Sequence, residues 1–230
     1  MKFTRIIHLL NKKKIINDPL YGFIHVKSEL IFDIISHPWF QRLRNIKQLG
    51  LTDMVYPGAV HTRFQHALGA MHLMCRVLDN LRFKGVHISD EEYEAAQLAV
   101  LLHDIGHGPF SHLFEEVLEH GGSTTHEDMG RRIIMQTEIA DILARHGCSA
   151  DLICRLSFGQ SKVNFMNERM SGGLSADIMD YLPRDGLFTG AEYAKVDYHR
   201  LLSSLEVSKG RLAINRSALN SLESMLISRY

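Results

Sequence analysis

The chain has 230 residues, of which 45% are hydrophobic and 23% charged, and its 26 basic residues balance 26 acidic ones. This composition is typical of one soluble globular domain, and a net charge of zero gives no reason to expect a nucleic acid or a membrane surface as partner. No segment approaches the roughly 18 consecutive apolar residues of a membrane-spanning helix, and three cysteines without a CxxC pair favour a reducing, cytoplasmic compartment.

The first part of the chain predicts a small hairpin followed by helices. Residues 14–26 hold two apolar runs around an Asp-Pro pair and a glycine, a pattern typical of a β-hairpin or an extended flap. Ser28 is a suitable cap for an amphipathic helix, and Pro38 favours the start of a second one. A long helix is expected from about Arg63 to Phe83, because apolar residues recur there at helical spacing.

The middle of the chain is also helical in pattern. Asp90 is the expected cap of a helix that runs into His103, and Pro109 suits the first position of the next helix. Thr125 begins a further helix, and residues 138–158 suggest two shorter ones.

The last third predicts two helices separated by a hairpin. Residues 177–185 favour a helix that Pro183 disturbs or ends, and residues 206–214 are typical of a small hairpin. An amphipathic helix from Ser217 then reaches the last residue without a stop signal. We therefore expect one domain over residues 1–230 that continues beyond them.

The sequence LLHDIGHGPFSH, residues 101–112, carries the strongest functional signal. It follows an apolar run typical of a buried helix, yet it holds three histidines and an aspartate within ten residues. Burying an unpaired carboxylate costs several kcal/mol unless a metal or strong donors compensate it. A bound metal cation therefore explains the adjacent His103 and Asp104 better than helix capping alone.

Two other segments offer ligands to the same ion. His66 lies near the first turn of the long helix, and Asp177 lies in the C-terminal third. Together with His103 and Asp104 they would form a site of two histidines and two carboxylates, with positions left for water and phosphate. Such a donor set suits one divalent transition metal, Fe, Mn, Zn, Ni or Co, better than calcium. Taken singly, His66 and Asp177 are equally compatible with ordinary structural roles.

At these residues the sequence resembles the HD-domain metal-dependent phosphohydrolases, and among them the deoxynucleoside triphosphate triphosphohydrolases. The resemblance runs from about Lys14 to the C-terminus. It is carried by residues 16–19, 40–44, 47–50, 57–59, 63–66, 103–112, 125–127 and 177–185. It implies an all-α HD-domain helical bundle, with the N-terminal hairpin and the minor hairpin near 206–214 as its only strands. It also implies a metal held by His66, His103, Asp104 and Asp177.

The resemblance further implies an activity, the hydrolysis of a deoxynucleoside triphosphate to deoxynucleoside and intact triphosphate by metal-activated water, with Mg²⁺ as a further ion on the substrate phosphates. His107 is expected to contact the α-phosphate. His112, oriented by Glu115 and His126, is expected to protonate the leaving 5′ oxygen or to manage the attacking water. Helix capping stays open as the alternative for these last three residues.

The substrate contacts implied by the resemblance involve four further residues. Arg63 is expected to hold phosphate oxygens, because its planar guanidinium suits multidentate phosphate contact. Gln48, Tyr181 and Asp185 are expected to bind the sugar, including its 3′-hydroxyl.

One position departs from the family pattern. Residue 178 is isoleucine, where several relatives carry a lysine or arginine directed at the distal phosphates. Two alternatives therefore stay open: another HD-domain nucleotide phosphatase or phosphodiesterase, and a catalytically silent nucleotide-binding regulatory module. In each case the expected partner is a nucleotide, with the chain forming a homo-oligomer, a dimer or tetramer, in the cytoplasm, without membrane or nucleic acid.

Overall fold

The computed structural model of the protein describes residues 14–110, 114, 124–159, 175–191 and 196–228. Within these residues the fold is helical, as predicted, with two small antiparallel sheets of two strands each. The helices are α1 (Glu29–Ser36), α2 (Pro38–Gln41), α3 (Arg63–Phe83), α4 (Asp90–Leu102), α5 (His126–Gln136), α6 (Glu138–Arg145), α7 (Ala150–Ser157), α8 (Ala176–Thr189), α9 (Tyr198–Ser204) and α10 (Leu219–Ile227). None of the helices in these ranges is both long and apolar enough to cross a membrane.

Both predicted hairpins are confirmed. Strands β1 (Lys14–Asp18) and β2 (Gly22–Val26) pair in a register that puts Lys14 opposite Val26. Strands β3 (Leu205–Ser208) and β4 (Arg211–Ile214) form the second hairpin. The first hairpin buries Ile24 and Val26 against the helices, so it is part of the core.

Helix α3 is the central element of the fold. It packs against α4 and against α8, and it begins and ends at the two residues that the sequence predicts. Thr62 and Gln65 form a reciprocal capping box at its start, which satisfies backbone N–H groups that would otherwise lack partners. Most apolar side chains of α3 and α4 are buried, Phe83 at the end of α3 excepted, and they form a single core with buried side chains of α1 and α8.

A buried ion-pair network joins the first hairpin to α8. Arg184 is completely buried and donates from Nε and Nη2 to the two carboxylate oxygens of Asp180, at 2.8 and 2.9 Å. Its Nη1 donates to Asp18 at 2.9 Å, and Asp18 also accepts the backbone N–H groups that follow it in the turn. Burying three charged groups is tolerable here because each of them is paired and hydrogen-bonded.

This network explains why Pro183 does not end α8. The prediction that Pro183 disturbs or ends the helix is wrong, since α8 continues to Thr189 with the proline inside it. A proline removes one backbone hydrogen bond from a helix interior. The bidentate contact between Asp180 and Arg184 spans the same turn and holds it in helical geometry.

Two smaller expectations also differ from the structure. The cap of α4 is Ser89, not Asp90, because the Ser89 hydroxyl accepts the Glu92 N–H and the Glu92 carboxylate accepts the Ser89 N–H. The helix that begins at Pro38 is short, because the apolar residues up to Ile46 that predict its continuation follow a 3-10 helix over Arg42–Asn45 instead. Pro109 lies in a turn, and most of the helix predicted after it lies outside the described residues.

Gly69 allows α3 and α8 to approach each other at the network. A Cβ atom at this position would lie 2.0 Å from Asp180 Oδ1 and 2.2 Å from Arg184 Nη2, so only glycine fits. We expect Gly69→Ala to lower the free energy of unfolding by about 3 kcal/mol, because it must displace a buried ion pair. The midpoint of thermal unfolding, measured by calorimetry, should fall by about 10 °C.

Gly147→Ala is the control for this prediction. Gly147 has a positive φ of 73° but open space around its Cα, so alanine costs only the backbone strain of about 1 kcal/mol. Equal losses in the two variants would contradict the argument from the close approach of α3 and α8.

Candidate metal centre and active-site cleft

His66 lies completely buried in the first turn of α3, with its ring fixed from behind. Its Nδ1 is 2.8 Å from Asp180 Oδ2, so Nδ1–H donates to the carboxylate and Nε2 points to the opposite side. Asp180 is the residue that Arg184 holds, and the hairpin residue Asp18 holds Arg184. Such an arrangement of a carboxylate behind a histidine is typical of metal ligands, since it sets the tautomer and the ring orientation.

His103 is oriented in the same way by the end of α4. Its Nδ1 lies 2.6 Å from the carbonyl oxygen of Val100, so it donates there and presents Nε2 to His66. The Nε2 atoms of the two histidines are 3.4 Å apart. Two ligand atoms at about 2.1 Å from one ion are separated by about 3.0–3.5 Å, so the pair fits a shared cation.

The two predicted carboxylate ligands meet the histidines at the same point. Asp177 Oδ1 lies 3.0 Å from His66 Nε2 and 3.6 Å from His103 Nε2. Asp104 approaches the same two nitrogens at 3.8 and 3.5 Å through its two oxygens. Ligand atoms of His66, His103 and Asp104 all lie within 4.8 Å of one another. The fold therefore brings together the four side chains that the sequence predicts as ligands, from three different segments.

The electrostatics of the cluster also favour a cation. Burial alone would lower the pKa of His66, but hydrogen bonds to Asp177 and Asp180 raise that pKa to about 10. Burial likewise opposes ionisation of Asp104, but His103 and Arg63 hold the pKa of Asp104 well below its usual range. The cluster thus keeps its carboxylates ionised and binds a positive charge, which a divalent metal would supply in place of a proton.

A cleft of about 670 Å³ opens directly over this cluster, which is within the size range of small-molecule sites. It is lined by predicted site residues from between positions 48 and 185 together with a few apolar side chains. These are Gln48, Leu49, Gly50, Leu51, Arg63, His103, Asp104, His107, Phe110, His126, Glu127, Ser157, Phe158, Asp177, Tyr181 and Asp185. The predicted metal ligands His103, Asp104 and Asp177 form the floor of the cleft, and His66 lies behind it.

The predicted catalytic residues His107 and His126 stack on each other beside the floor. Their ring centroids are 4.0 Å apart with an interplanar angle of 14°, and His107 Nε2 is 3.3 Å from Asp104 Oδ1. Burial lowers the pKa of His107 to about 4, so its imidazole is neutral at pH 7. The other two predicted catalytic residues, His112 and Glu115, lie outside the described residues.

The loop after α4 is pressed against the start of α5, which brings the two histidines together. A Cβ atom on Gly106 would lie 1.9 Å from the His126 carbonyl oxygen and 2.4 Å from Gly130 N, so glycine is required there. Arg42 holds the loop from the other side, since its guanidinium donates to the carbonyl oxygens of Ile105 and His107. Sequence reasoning did not assign this role to Arg42, because a backbone carbonyl leaves no signal in the sequence.

Arg63 contributes a positive charge to the cleft, whereas residue 178 contributes none. The Arg63 guanidinium is paired with Asp104, which puts its positive charge at the edge of the metal cluster. Ile178 is only 8% exposed, packs in the core and does not line the cleft.

One buried histidine near the cleft had no functional signal in the sequence. His61 Nε2 is 2.7 Å from Asp185 Oδ1, and the His61 ring stacks on Phe188 with the centroids 4.7 Å apart. His61 follows a turn and belongs to no motif by itself. Its link to Asp185 spans 124 positions of the chain, which a local pattern does not predict.

Comparisons with known proteins show what the chain is similar to. The HD domain model matches residues 63–182, slightly more than half of the chain and including all four predicted ligands. The uncharacterized protein YwfO of Bacillus subtilis is 37% identical over 228 residues, which cover 96% of this chain and 51% of that protein. The deoxynucleoside triphosphate triphosphohydrolase SAMHD1 homolog of Dictyostelium discoideum is 33% identical over 236 residues, covering 94% and 44%.

A solved structure extends the comparison to the fold. The crystal structure of a phosphohydrolase from Bacteroides thetaiotaomicron matches with a TM-score of 0.85 and 40% identity, and the match covers 94% of this chain and 52% of that one. The chain thus spans about half the length of the relatives it matches. Because both the family model and relatives above 30% identity cover it so widely, the chain belongs to the HD-domain family of phosphohydrolases.

Proposed function

We propose that the protein is a metal-dependent hydrolase that converts a deoxynucleoside triphosphate and water to a deoxynucleoside and triphosphate. The observation that carries the proposal is the convergence of His66, His103, Asp104 and Asp177 at the floor of a cleft of about 670 Å³. The similarity to the SAMHD1 homolog of Dictyostelium discoideum, which is named as such a hydrolase, supports this substrate class.

The four predicted ligands would hold one divalent transition metal, since imidazole and carboxylate donors suit Fe, Mn, Zn, Ni or Co. When bound, such an ion polarises a phosphoryl oxygen and lowers the pKa of a coordinated water. The floor of the cleft thus defines where the reacting phosphorus lies.

The other residues of the cleft would bind and orient the substrate around that point. His107, which lies beside Asp104 at the edge of the floor, would contact an α-phosphate oxygen, and Arg63 adds a positive charge beside it. His126, stacked on His107, would hold the proton donor His112 together with Glu115. Gln48, Tyr181 and Asp185 line the part of the cleft assigned to the sugar.

The charges in the cleft favour a second candidate substrate as well. Among the described residues that line it, Arg63 is the only arginine or lysine, and four carboxylates lie there. Ile178 adds no cation at the position where several relatives have one. A nucleotide with fewer phosphates, or another phosphate ester, would meet less repulsion in such a cleft than a triphosphate chain.

The product distinguishes the two candidates. We expect the metal-reconstituted protein, incubated with each of the four deoxynucleoside triphosphates, GTP and dGMP, to release inorganic triphosphate and a deoxynucleoside, separated by anion-exchange chromatography. Orthophosphate or pyrophosphate as product would favour the second candidate. Nucleotide binding without any product would favour a regulatory module that binds nucleotides.

Metal removal tests the ligand set directly. We expect EDTA treatment to lower the midpoint of thermal unfolding by about 5–10 °C and readdition of a transition metal to restore it, because a ligand at 100 times its Kd stabilises a protein by about 2.7 kcal/mol.

Asp177→Asn should reduce the bound metal measured by elemental analysis. Asp33→Asn, at a similarly exposed surface carboxylate, should leave it unchanged. Equal metal content in the two variants would contradict the role of Asp177.

A variant of His126 distinguishes a role in catalysis from a role in metal binding. We expect His126→Ala to lower kcat about 10²-fold with unchanged metal content, since His126 stacks on His107 but is not among the predicted ligands. His146→Ala, which removes a histidine bonded to Asp33 on the surface, serves as the control. A His126 variant with the kcat of the control would exclude this residue from the mechanism.

A further inference from the structure

The contact between His61 and Asp185 is suited to hold the Asp185 carboxylate in one orientation. The His61 side chain is completely buried, whereas that of Asp185 is 24% exposed and lines the cleft. Among the groups that the structure describes, none is within hydrogen-bond distance of His61 Nδ1. Because an ionised carboxylate can only accept, His61 donates its proton from Nε2 to Asp185 Oδ1 across 2.7 Å.

Packing holds the His61 ring in this orientation. The ring stacks on Phe188, one turn beyond Asp185 on α8, at an interplanar angle of 26°. The turn before His61 approaches the same helix, since a Cβ atom on Gly58 would lie 2.4 Å from the Phe188 carbonyl oxygen. The ring therefore has little freedom to turn away from Asp185.

The backbone of His61 also contacts the segment that carries Gln48, another residue that the proposed function assigns to the sugar. Its carbonyl oxygen accepts the backbone N–H of Gln48 at 3.0 Å, and the neighbouring residues Lys47 and Thr62 form an isolated antiparallel bridge. His61 thus links the two segments that carry Gln48 and Asp185, although these are far apart in the sequence.

We infer that His61 is a positioning residue that fixes the Asp185 carboxylate as the acceptor for the 3′-hydroxyl of the sugar. The His61 N–H is hydrogen-bonded to Asp185 Oδ1, so Asp185 Oδ2 is left to accept the hydrogen bond of the substrate hydroxyl. This inference rests on the proposed function, because that proposal places the sugar against Asp185. It adds a residue outside the cleft wall that determines how strongly the site discriminates a 3′-hydroxyl from a hydrogen.

Binding of two matched nucleotides tests the inference. The probes are the deoxynucleoside triphosphate that the wild-type protein binds most tightly and its 2′,3′-dideoxy analogue, with Kd measured by calorimetry on EDTA-treated protein so that neither is consumed. We expect the wild type to prefer the 3′-hydroxyl about tenfold or more, as for a hydrogen bond to a charged acceptor. His61→Phe, which keeps an aromatic ring but removes the donor, should reduce that preference to about twofold or less.

Two further variants separate positioning from packing. His61→Gln keeps an N–H donor and should retain most of the preference. Phe188→Leu removes the stacked ring but not the donor, and it should lower thermal stability more than it lowers the preference. If His61→Phe does not fold, His61→Leu takes its place.

The outcomes are distinct for the inference and for the proposed function. An equal loss of affinity for both nucleotides in His61→Phe, an unchanged preference, or a wild type that does not distinguish the two probes would each overturn the inference. Absence of turnover by the wild type, with the preference present and lost in His61→Phe, would overturn the proposed function and leave the positioning role supported.

Discussion

The fold and the candidate site depend on one buried chain of charge-assisted hydrogen bonds, from Asp18 through Arg184 and Asp180 to His66. Each link is 2.8–2.9 Å long, and all four side chains are at most 5% exposed. Removing one member would leave a buried charge without its partner, which is among the most costly changes a core can undergo. The hairpin, α3 and α8 are therefore held by the same interactions that orient a predicted metal ligand.

This dependence explains features of the core that the hydrophobic pattern does not require. Gly69 has no side chain because Asp180 and Arg184 occupy the space beside it, and Pro183 is tolerated because those two residues clamp the turn that contains it. Two ionised carboxylates, Asp177 and Asp180, face His66 from opposite sides. A cation bound by the cluster would therefore also stabilise the packing around it.

The sequence predicts the helices and both hairpins, because each of these leaves a local pattern. The joint position of the four candidate ligands is predicted from their shared ligand chemistry together with the resemblance to the HD-domain family. Periodicity defines α3, and the spacing of His103, Asp104 and His107 concentrates polar groups where a buried helix ends. The parts it misses are contacts between distant segments, such as Arg42 on the loop carbonyls and His61 on Asp185. Pairs of this kind depend on how the helices pack, which no single segment encodes. The surroundings of His112 and Glu115 stay predictions, since these residues lie outside the described ranges.

The distribution of charge in the cleft constrains how a substrate can lie in it. The carboxylates of Asp104 and Asp177 surround the predicted metal position, and Asp185 lies beside His61, where the proposal places the sugar. In the proposed function, a phosphate group would meet a favourable potential where a bound cation and Arg63 lie close together. With such a substrate, the reacting phosphorus would lie at the floor, and the distal part of the phosphate chain would extend away from the acidic wall. Since Ile178 packs in the core, any further cation for those phosphates has to come from outside the described wall of this cleft.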